Sequence, residues 1–584
     1  MTTAAATRFV SRLTEIVCRM VTAARPMQTA AGPFLADPSR TDPYPASAQD
    51  ITLNRAIYAL ARLPDFDDPQ NPYFDDAQLR NQAVRIGAYL AEVLGDSGGI
   101  PLAAGQSGVH QSGLRSLNFW TCPHVVRFWL KSLPILSGRL AQHQAARWRE
   151  SLAGCLKLLS GRHADVGAWN GLLDADGPRL SAVAAAGAAL WIGGDVLGFP
   201  IFSREGQDLW RGLYDRIQSG DDLAPLIDGL DIDAMLGTLN SLPPAGEDRR
   251  RCETRLAGWR ARLTMPDGAI NELFDRHRAH SRLGMGAAPP ALLLHGHPLP
   301  AAAILHSFER RPRRGIQALP ELATLVESID ALNALLPDAA APGPNDADID
   351  RRMEATYAGW IGGPASRAWL FRGNGWIAGC RAPVFTHGGC SCPFSVRHLR
   401  CDCWLDGSTP DSRRAKPLPC RLLPDAAADL TGRHLLVQCD ACHGRFGLAV
   451  LDEQTLRLTI RLNWTGRAGS DRNRPGVQLL FAAREGQAAI LREPSGRALE
   501  LPLTLEAIQR ECPSGHQLQL PAAAGRPAGL LAVHSNGPTP LLRWNLPPRA
   551  EEQRLPLPVN RLELSLPFAA DQETRIDLIL TVPR

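Results

Sequence analysis

Residues 337–350 read PDAAAPGPNDADID, and this stretch divides the sequence into two parts with different patterns. Proline, alanine and aspartate at this density favour an extended linker over a helix or a strand. Before the stretch, apolar residues recur every three or four positions, which is typical of helices that bury one face. After it, apolar and polar residues alternate in short runs such as LRLTIRLNW and RIDLILTV, which is typical of antiparallel strands. The sequence therefore predicts a helical half followed by a β half.

The periodicity predicts eight helices before the linker. They cover residues 51–63, 76–94, 123–136, 144–159, 179–190, 207–217, 252–263 and 319–335. Successive antiparallel helices with aromatic residues near the loops fit an α/α toroid, and short alternating strands separated by turns fit a β-sandwich. We therefore expect a multidomain α+β chain. Its parts are an N-terminal extension (1–50), an α/α toroid (51–336), the linker (337–350) and a β-sandwich (351–584).

The composition is that of a folded globular protein with almost balanced charge. Of 584 residues, 45% are apolar and 21% are charged, which excludes wholesale disorder. Lysine and arginine total 63 and aspartate and glutamate total 59, so the formal net charge is +4. This small excess gives no reason to expect nucleic acid as a partner.

Two segments bear on membranes and location. Residues 180–202 are rich in alanine and glycine and contain Asp195, which favours a tightly packed soluble helix over a membrane span. The first 25 residues contain no apolar run of signal-peptide length, and their spacing predicts an amphipathic helix with arginines on one face. A cytoplasmic location is the expectation, with the periplasm as the alternative.

The asparagine-bearing segment 165–195 and the Pro-Asp-Gly segment 263–281 resemble segments of the heparinase II/III-like polysaccharide lyases. Residues 165–195, DVGAWNGLLDADGPRLSAVAAAGAALWIGGD, place an asparagine in a Gly/Trp turn before a small-residue helix. Residues 263–281, LTMPDGAINELFDRHRAHS, contain a Pro-Asp-Gly turn, a glutamate and a histidine-bearing polar stretch. The resemblance implies a toroid followed by a sandwich, and β-elimination on an acidic polysaccharide that contains uronic acid. It implies no cofactor for the chemistry.

The chemistry of β-elimination explains why such residues are needed. The reaction removes the proton next to a carboxyl group and expels the glycosidic oxygen, so the carboxylate must be neutralised by hydrogen-bond donors. A base then takes the proton, and an acid protonates the leaving oxygen. By the resemblance, Asn170 would hold the carboxylate, and His277 or His280 would act as base.

Other residues have supporting roles by the same resemblance. Where these lyases carry a tyrosine after the glutamate, this sequence has His277, and Tyr357 is the candidate replacement from beyond the linker. The candidate substrate-binding residues are Trp120, His124, Trp169, Glu272, Arg276 and Arg278. Each type also has an ordinary structural role: asparagine in a turn, histidine on an exposed helix face, and tryptophan in helix packing.

Two other functions remain open from the sequence. Toroid-plus-sandwich proteins include glycoside hydrolases, which use a pair of carboxylates; the candidates here are Asp174, Asp176, Asp267 and Glu272. A carbohydrate-binding protein without catalytic activity is the second alternative.

The start of the β half is rich in cysteine. The chain has 13 cysteines, an odd number that argues for free thiols or metal ligation over a disulfide scaffold. We expect a structural zinc ion bound by His387, Cys390, Cys392, Cys401 and Cys403, because alternate residues of a strand share a face. The pair Cys439 and Cys442 could add thiolates, and a packed thiol cluster is the alternative. The stretch GGCSCPFSVRHL is also similar to the cysteine-rich segment of arabinofuranosidases that use a zinc-bound cysteine as nucleophile.

Overall fold

The chain is described from a computed structural model. In the first half it describes residues 3–29, 32–35, 48–95, 111–160, 180–219, 229–242, 246–263 and 319–335. In the second half it describes residues 357–361, 368–373, 376–381, 384–386, 389–391, 394–398, 401–407, 420–424, 432–439, 442–464, 476–484, 489–501, 508–519, 529–546, 559–567 and 572–582.

The described part of the first half is helical and contains no β-strand. Its α-helices are α1 (Thr3–Ala24), α2 (Ala48–Leu53), α3 (Ile57–Arg62), α4 (Ala77–Leu94), α5 (Gln111–Leu136), α6 (Gln142–Leu159), α7 (Leu180–Leu197), α8 (Pro200–Ser219), α9 (Gly229–Leu239), α10 (Glu247–Leu263) and α11 (Leu319–Leu335). All eight predicted segments are helical along most or all of their length.

The two largest differences from the prediction concern α5 and α9. The apolar periodicity predicted a helix over 123–136. Instead α5 begins at Gln111, and both Pro123 and Pro134 lie inside it. Helix α9 was not predicted, since its run of 11 residues is short and includes two glycines.

The first 50 residues belong to the helical unit. The apolar residues Phe9, Leu13 and Val17 of α1 are at most 3% exposed, and α1 packs against α11, the last described helix of this half. The predicted amphipathic helix is therefore present as α1. It packs against the last described helix of the half instead of forming a separate extension.

The helix contacts form a closed circuit around α5. The circuit runs from α11 to α3, α4, α6, α7, α8, α10 and α9, and from α9 back to α11. Helix α5 contacts α2, α3, α6 and α7. Its residues Val125, Val126, Phe128 and Trp129 are fully buried, so α5 supplies the centre of the apolar core.

Helices α7 and α8 pack with their backbones in close contact. All eight alanines and other apolar residues over 182–190 are fully buried, which agrees with the expected tightly packed helix. Gly206 of α8 faces α7, where a Cβ atom on it would lie 2.5 Å from the backbone nitrogen of Trp191. Among the described helices, none is both long and apolar enough to cross a membrane.

The described part of the second half consists of short strands. They are β1 (Tyr357–Ile361), β2 (Ala368–Gly373), β3 (Trp376–Arg381), β4 (Val384–Thr386), β5 (Gly389–Ser391), β6 (Phe394–His398), β7 (Cys401–Gly407), β8 (Cys420–Pro424), β9 (Gly432–Cys439), β10 (Cys442–Val450), β11 (Thr455–Trp464), β12 (Gly476–Arg484), β13 (Ala489–Arg492), β14 (Ala498–Leu501), β15 (Ile508–Glu511), β16 (Gln517–Gln519), β17 (Leu530–Ser535), β18 (Leu541–Leu546), β19 (Val559–Pro567) and β20 (Glu573–Thr581).

These strands form two sheets. In the described residues the first sheet runs β1-β2-β3-β6-β7-β12-β19-β18-β15, with β5 pairing β12 and β4 pairing β5. The second sheet runs β14-β13-β16-β17-β20-β11-β10-β9-β8. Every pair is antiparallel except β5 with β12. The indole of Trp376 in the first sheet is fully buried and donates a hydrogen bond to the carbonyl oxygen of Asp452, which follows β10 of the second sheet (3.2 Å).

The alternation of apolar and polar residues in the sequence matches the alternation of buried and more exposed residues along the strands. In β20 every second residue from Thr574 to Leu580 is buried, and in β11 every second residue from Leu456 to Leu462 is buried. The residues between them are exposed or half-buried. The predicted order, a helical half followed by an antiparallel β half, is therefore confirmed. The chain separates into two compact units, one made up mainly of the helical half and the other mainly of the β half.

Substituting Gly206 should destabilise the helical unit. A methyl group there meets the backbone of α7, which cannot rotate away as a side chain could, so Gly206→Ala should lower the free energy of unfolding by about 1–3 kcal/mol. The control is Gly138→Ala, because a Cβ atom on Gly138 has no neighbour within 4 Å. Urea unfolding followed by helical circular dichroism measures both, and equal stability of the two variants would contradict the close packing.

Candidate functional site

The polar face of α5 is the centre of the candidate site. Trp120, His124, Arg127 and Lys131 are spaced by four, three and four residues, so they share one face of the helix. Between His124 and Lys131 the other residues are apolar and buried, apart from Arg127. Two cationic side chains in such a helix need partners from neighbouring helices, because an unpaired buried charge is very costly.

Glu327 of α11 is the partner of both cations. Its side chain is 1% exposed and lies 3.3 Å from the Arg127 guanidinium and 2.5 Å from Lys131 Nζ. Ser241, just after α9, donates a hydrogen bond to the same carboxylate and also accepts one from Arg127 (2.6 Å). Arg127 further donates to the carbonyl oxygen of Gly237 (3.2 Å). This buried network connects α5, α9 and α11.

A second polar group lies beside the first. The hydroxyl of Tyr58 in α3 donates to one oxygen of Asp330 (2.6 Å), and Arg62 donates to the other (2.9 Å). Lys131 Nζ sits 4.6 Å from the centre of the Tyr58 ring. Burial and the negative charge of Asp330 raise the pKa of Tyr58 far above its usual value, so the phenol stays protonated and acts as a donor.

Arg55, His124 and Arg127 form a cluster in which the positive charges of the two arginines act on the imidazole. Arg127 is buried, whereas Arg55 and His124 are half-buried and keep some contact with solvent. Burial, followed by the positive charges of Arg55 and Arg127, lowers the pKa of His124 well below 6.5. Burial and the charge of Arg127 also lower the pKa of Arg55, to about 10.

This cluster can bind an anion. His124 is neutral at pH 7, while both arginines keep their charge. Arg127 and Lys131 share the carboxylate of Glu327, so one negative charge balances two positive charges, and Arg55 adds a third positive charge. A carboxylate that binds beside Arg55 and His124 would reduce the repulsion among these positive charges. It would also raise the pKa of His124, since a nearby negative charge favours the imidazolium.

Of the predicted site residues, His124 is the one whose side chain is described. Trp120 lies one turn before it in α5, and its side chain is not described. Tyr357 is the first residue of β1, opposite Arg372 of β2. The remaining predicted catalytic and substrate-binding residues lie outside the described residues: Trp169, Asn170, Glu272, Arg276, His277, Arg278 and His280. Their roles stay predictions.

Sequence reasoning missed Arg55, Tyr58, Arg127, Lys131, Glu327 and Asp330. The signal available was the pair of basic residues inside the apolar run HVVRFWLKSL (124–133). Charges in such a run indicate a buried polar contact, but the sequence does not say which helix supplies the partner. Glu327 is 200 positions away from Arg127.

The strand register does not allow one zinc ion to join both Cys-x-Cys pairs. Cys390 of β5 lies opposite Val477 of β12, and Gly407, at the far end of β7 from Cys401, lies opposite Leu479. Cys390 and Cys403 are therefore about six residues apart along the strand direction, or roughly 20 Å. A shared zinc site needs its sulfur ligands ~2.3 Å from the metal. Such a separation argues against one zinc ion bound by both cysteines, and the predicted zinc site itself stays a prediction.

The other predicted metal ligands are not decided by the register. His387 and Cys392 lie outside the described residues, and Cys401 lies opposite His398 of β6. Within the described residues, no group of three or more histidine, cysteine, aspartate or glutamate side chains is placed to hold a metal ion. Three other cysteines fall in one row across neighbouring strands: Cys420 of β8, Cys439 of β9 and Cys442 of β10.

Comparison with solved structures returns structures of heparinase III and of a heparan sulfate lyase. A crystal structure of heparinase III matches over 94% of this chain and 87% of its own, with 9% identity and a TM-score of 0.46. Heparan sulfate lyase HepC from Pedobacter heparinus matches over 92% of this chain and 88% of its own, with 11% identity and a TM-score of 0.23. The fold assignment rests on the helices and strands described above. No protein-family model and no curated protein sequence matches the chain.

Removing the carboxylate of Glu327 should destabilise the helical unit strongly. Glu327→Ala leaves Arg127 and Lys131 as neighbouring buried cations, which should lower the free energy of unfolding by about 3–5 kcal/mol. The control is Glu150→Ala, whose ion pair with Arg147 is exposed and 3.8 Å long, and which should change stability by about 0–1 kcal/mol. Urea unfolding measures the free energy of unfolding of both variants. A loss of stability for Glu327→Ala no larger than that for Glu150→Ala would contradict a buried, strongly stabilising network.

Proposed function

We propose that the protein is a polysaccharide lyase that cleaves an acidic, uronic-acid-containing polysaccharide by β-elimination. The observation that carries the proposal is the half-buried, neutral His124 beside Arg55 and Arg127. β-Elimination next to a carboxylate requires cationic donors that neutralise this group as the adjacent proton leaves. Arg55 and His124 supply such donors on a surface that solvent reaches.

The proposed roles divide between binding and proton transfer. The uronate carboxylate binds against Arg55, and its charge raises the pKa of His124, which takes up a proton and becomes a second donor. Arg127 stays in its pair with Glu327 and contributes positive potential. By the resemblance stated above, Asn170 completes the carboxylate site, His277 or His280 removes the proton, and Tyr357 is the candidate acid.

The proposed substrate is a linear acidic polysaccharide or oligosaccharide, and the chemistry requires no cofactor. A structural zinc ion in the β unit also stays a proposal, with a ligand set that does not combine Cys390 and Cys403. Metal analysis of the purified protein tests it through the zinc content per chain.

Activity assays separate this proposal from the alternatives. A lyase forms a new carbon–carbon double bond in the product, which absorbs in the ultraviolet, and needs no nucleophile. A glycoside hydrolase forms reducing ends without this absorbance, and a binding protein forms neither product. Incubating the protein with a panel of uronic-acid polymers and recording both signals gives one of three distinct results.

Substituting His124 should reduce elimination without unfolding the protein. Because His124→Gln removes a donor that charges only when substrate is bound, kcat/KM should fall on the order of 10²-fold. The control is His143→Gln, because His143 is exposed on α6, and it should react like the wild type. His277→Ala and His280→Ala test the base, since loss of the base should lower kcat on the order of 10²–10⁴-fold. Unsaturated product formed at the wild-type rate by His124→Gln would contradict the proposed carboxylate site.

A further inference from the structure

Three arginines stand side by side on the outer face of the second sheet. Arg445 of β10 lies opposite Arg461 of β11, and Arg461 lies opposite Arg575 of β20. All three are exposed. Neighbouring strands are about 4.8 Å apart, so this arginine row places three positive charges within roughly 10 Å.

The arginine row lies on the solvent side of the sheet. In β11 the residues before and after Arg461, Ile460 and Leu462, are fully buried, and in β20 the same is true of Thr574 and Ile576 around Arg575. Because side chains alternate between the two faces of a strand, the arginines are held away from the core. The row is therefore not required for packing.

Like charges directly opposite each other destabilise a sheet. Two acidic side chains on the same face partly offset this cost. Asp577 accepts hydrogen bonds from Arg575 (2.8 Å) and from Thr459 of β11 (2.6 Å), and Glu573 lies two positions before Arg575. Arg457 extends the positive charge along the same face of β11. The four arginines on this face of β10, β11 and β20 outnumber the two carboxylates, and this excess of positive charge favours an anionic ligand.

The chemistry of this face favours a sugar polymer as that ligand. Guanidinium groups bind carboxylate and sulfate groups in paired hydrogen bonds, and a row of them suits a chain that carries anionic groups at intervals. The alternation places residues 443, 445, 447 and 449 of β10, the odd-numbered residues 455–463 of β11 and the odd-numbered residues 573–581 of β20 on this face. None of these is phenylalanine, tyrosine or tryptophan, so this part of the face lacks the stacking rings that bind single-stranded nucleic acid.

We propose that the arginine row of Arg445, Arg461 and Arg575 is a binding surface for an acidic polysaccharide, separate from the His124 cluster of the helical unit. The surface would hold a carboxylated or sulfated chain through charge-assisted hydrogen bonds and would take no part in bond cleavage. The choice of a sugar polymer rests on the proposed function; the anion-binding surface itself rests on the strand register and exposure.

Binding of the full-length protein to heparin, polygalacturonate and single-stranded DNA tests the proposal. The variant Arg445→Gln/Arg461→Gln/Arg575→Gln should lose affinity for the acidic polysaccharides by roughly tenfold or more at low salt, and the wild-type affinity should fall as salt rises. The matched control, Arg492→Gln/Arg497→Gln/Arg510→Gln, removes three exposed arginines elsewhere in the same unit and should bind like the wild type. Binding of heparin alone assigns sulfate as the ligand group, and binding of both polysaccharides assigns carboxylate.

A stability measurement shows whether the row has a structural role. Because Arg461→Thr relieves two like-charge contacts, it should leave the unit at least as stable as the wild type while weakening binding. The inference is overturned by equal affinity of the row variant and its control, by equal binding of DNA and polysaccharide, or by destabilisation in Arg461→Thr. If the row variant binds like the wild type and still forms unsaturated product, only the arginine row is rejected as a binding surface. Row-dependent binding without any such product from the wild type would reject only the lyase function.

Discussion

The buried carboxylate of Glu327 is the contact on which the helical unit and its candidate site both depend. A helix as apolar as α5 can carry Arg127 and Lys131 only if their charges are compensated inside the protein. Glu327 supplies the compensation from α11, and Ser241 and the Gly237 carbonyl oxygen satisfy more of the polar atoms. The apolar packing brings α5 and α11 to the same core, and the ion pairs determine how their polar faces align.

This alignment has a consequence for His124. With Arg127 held in place by Glu327, its positive charge stays close to the imidazole, and Arg55 adds a second charge from the segment before α3. The neutral state of His124 therefore follows first from burial and second from the charges of its neighbours, and an incoming anion would favour the charged form. The same electrostatic reasoning applies on the β unit, where the register sets Arg445, Arg461 and Arg575 side by side in solvent.

The sequence predicted the elements well because each follows from a local pattern. Helical periodicity identified α4, α6 and α11 closely, and strand alternation identified β11 and β20. Contacts between distant residues were not predictable in this way. Arg127 and Glu327 are brought together by packing, and the separation of Cys390 from Cys403 depends on β5 pairing with β12, a connection no local pattern indicates. The arginine row also depends on register, since its members come from three strands.

The central claim is that a carboxylate binds beside Arg55 and turns His124 from neutral to charged. Calorimetric titration with a uronic-acid oligosaccharide, repeated near neutral pH in buffers of different ionisation enthalpy, measures the protons taken up on binding. Because the pKa of His124 is lowered in the free protein and raised by the bound anion, protons should be taken up, and binding should tighten as the pH falls towards 6. The account predicts an uptake approaching one proton for the wild type and for His143→Gln, and none for His124→Gln. Binding without proton uptake in the wild type would contradict it.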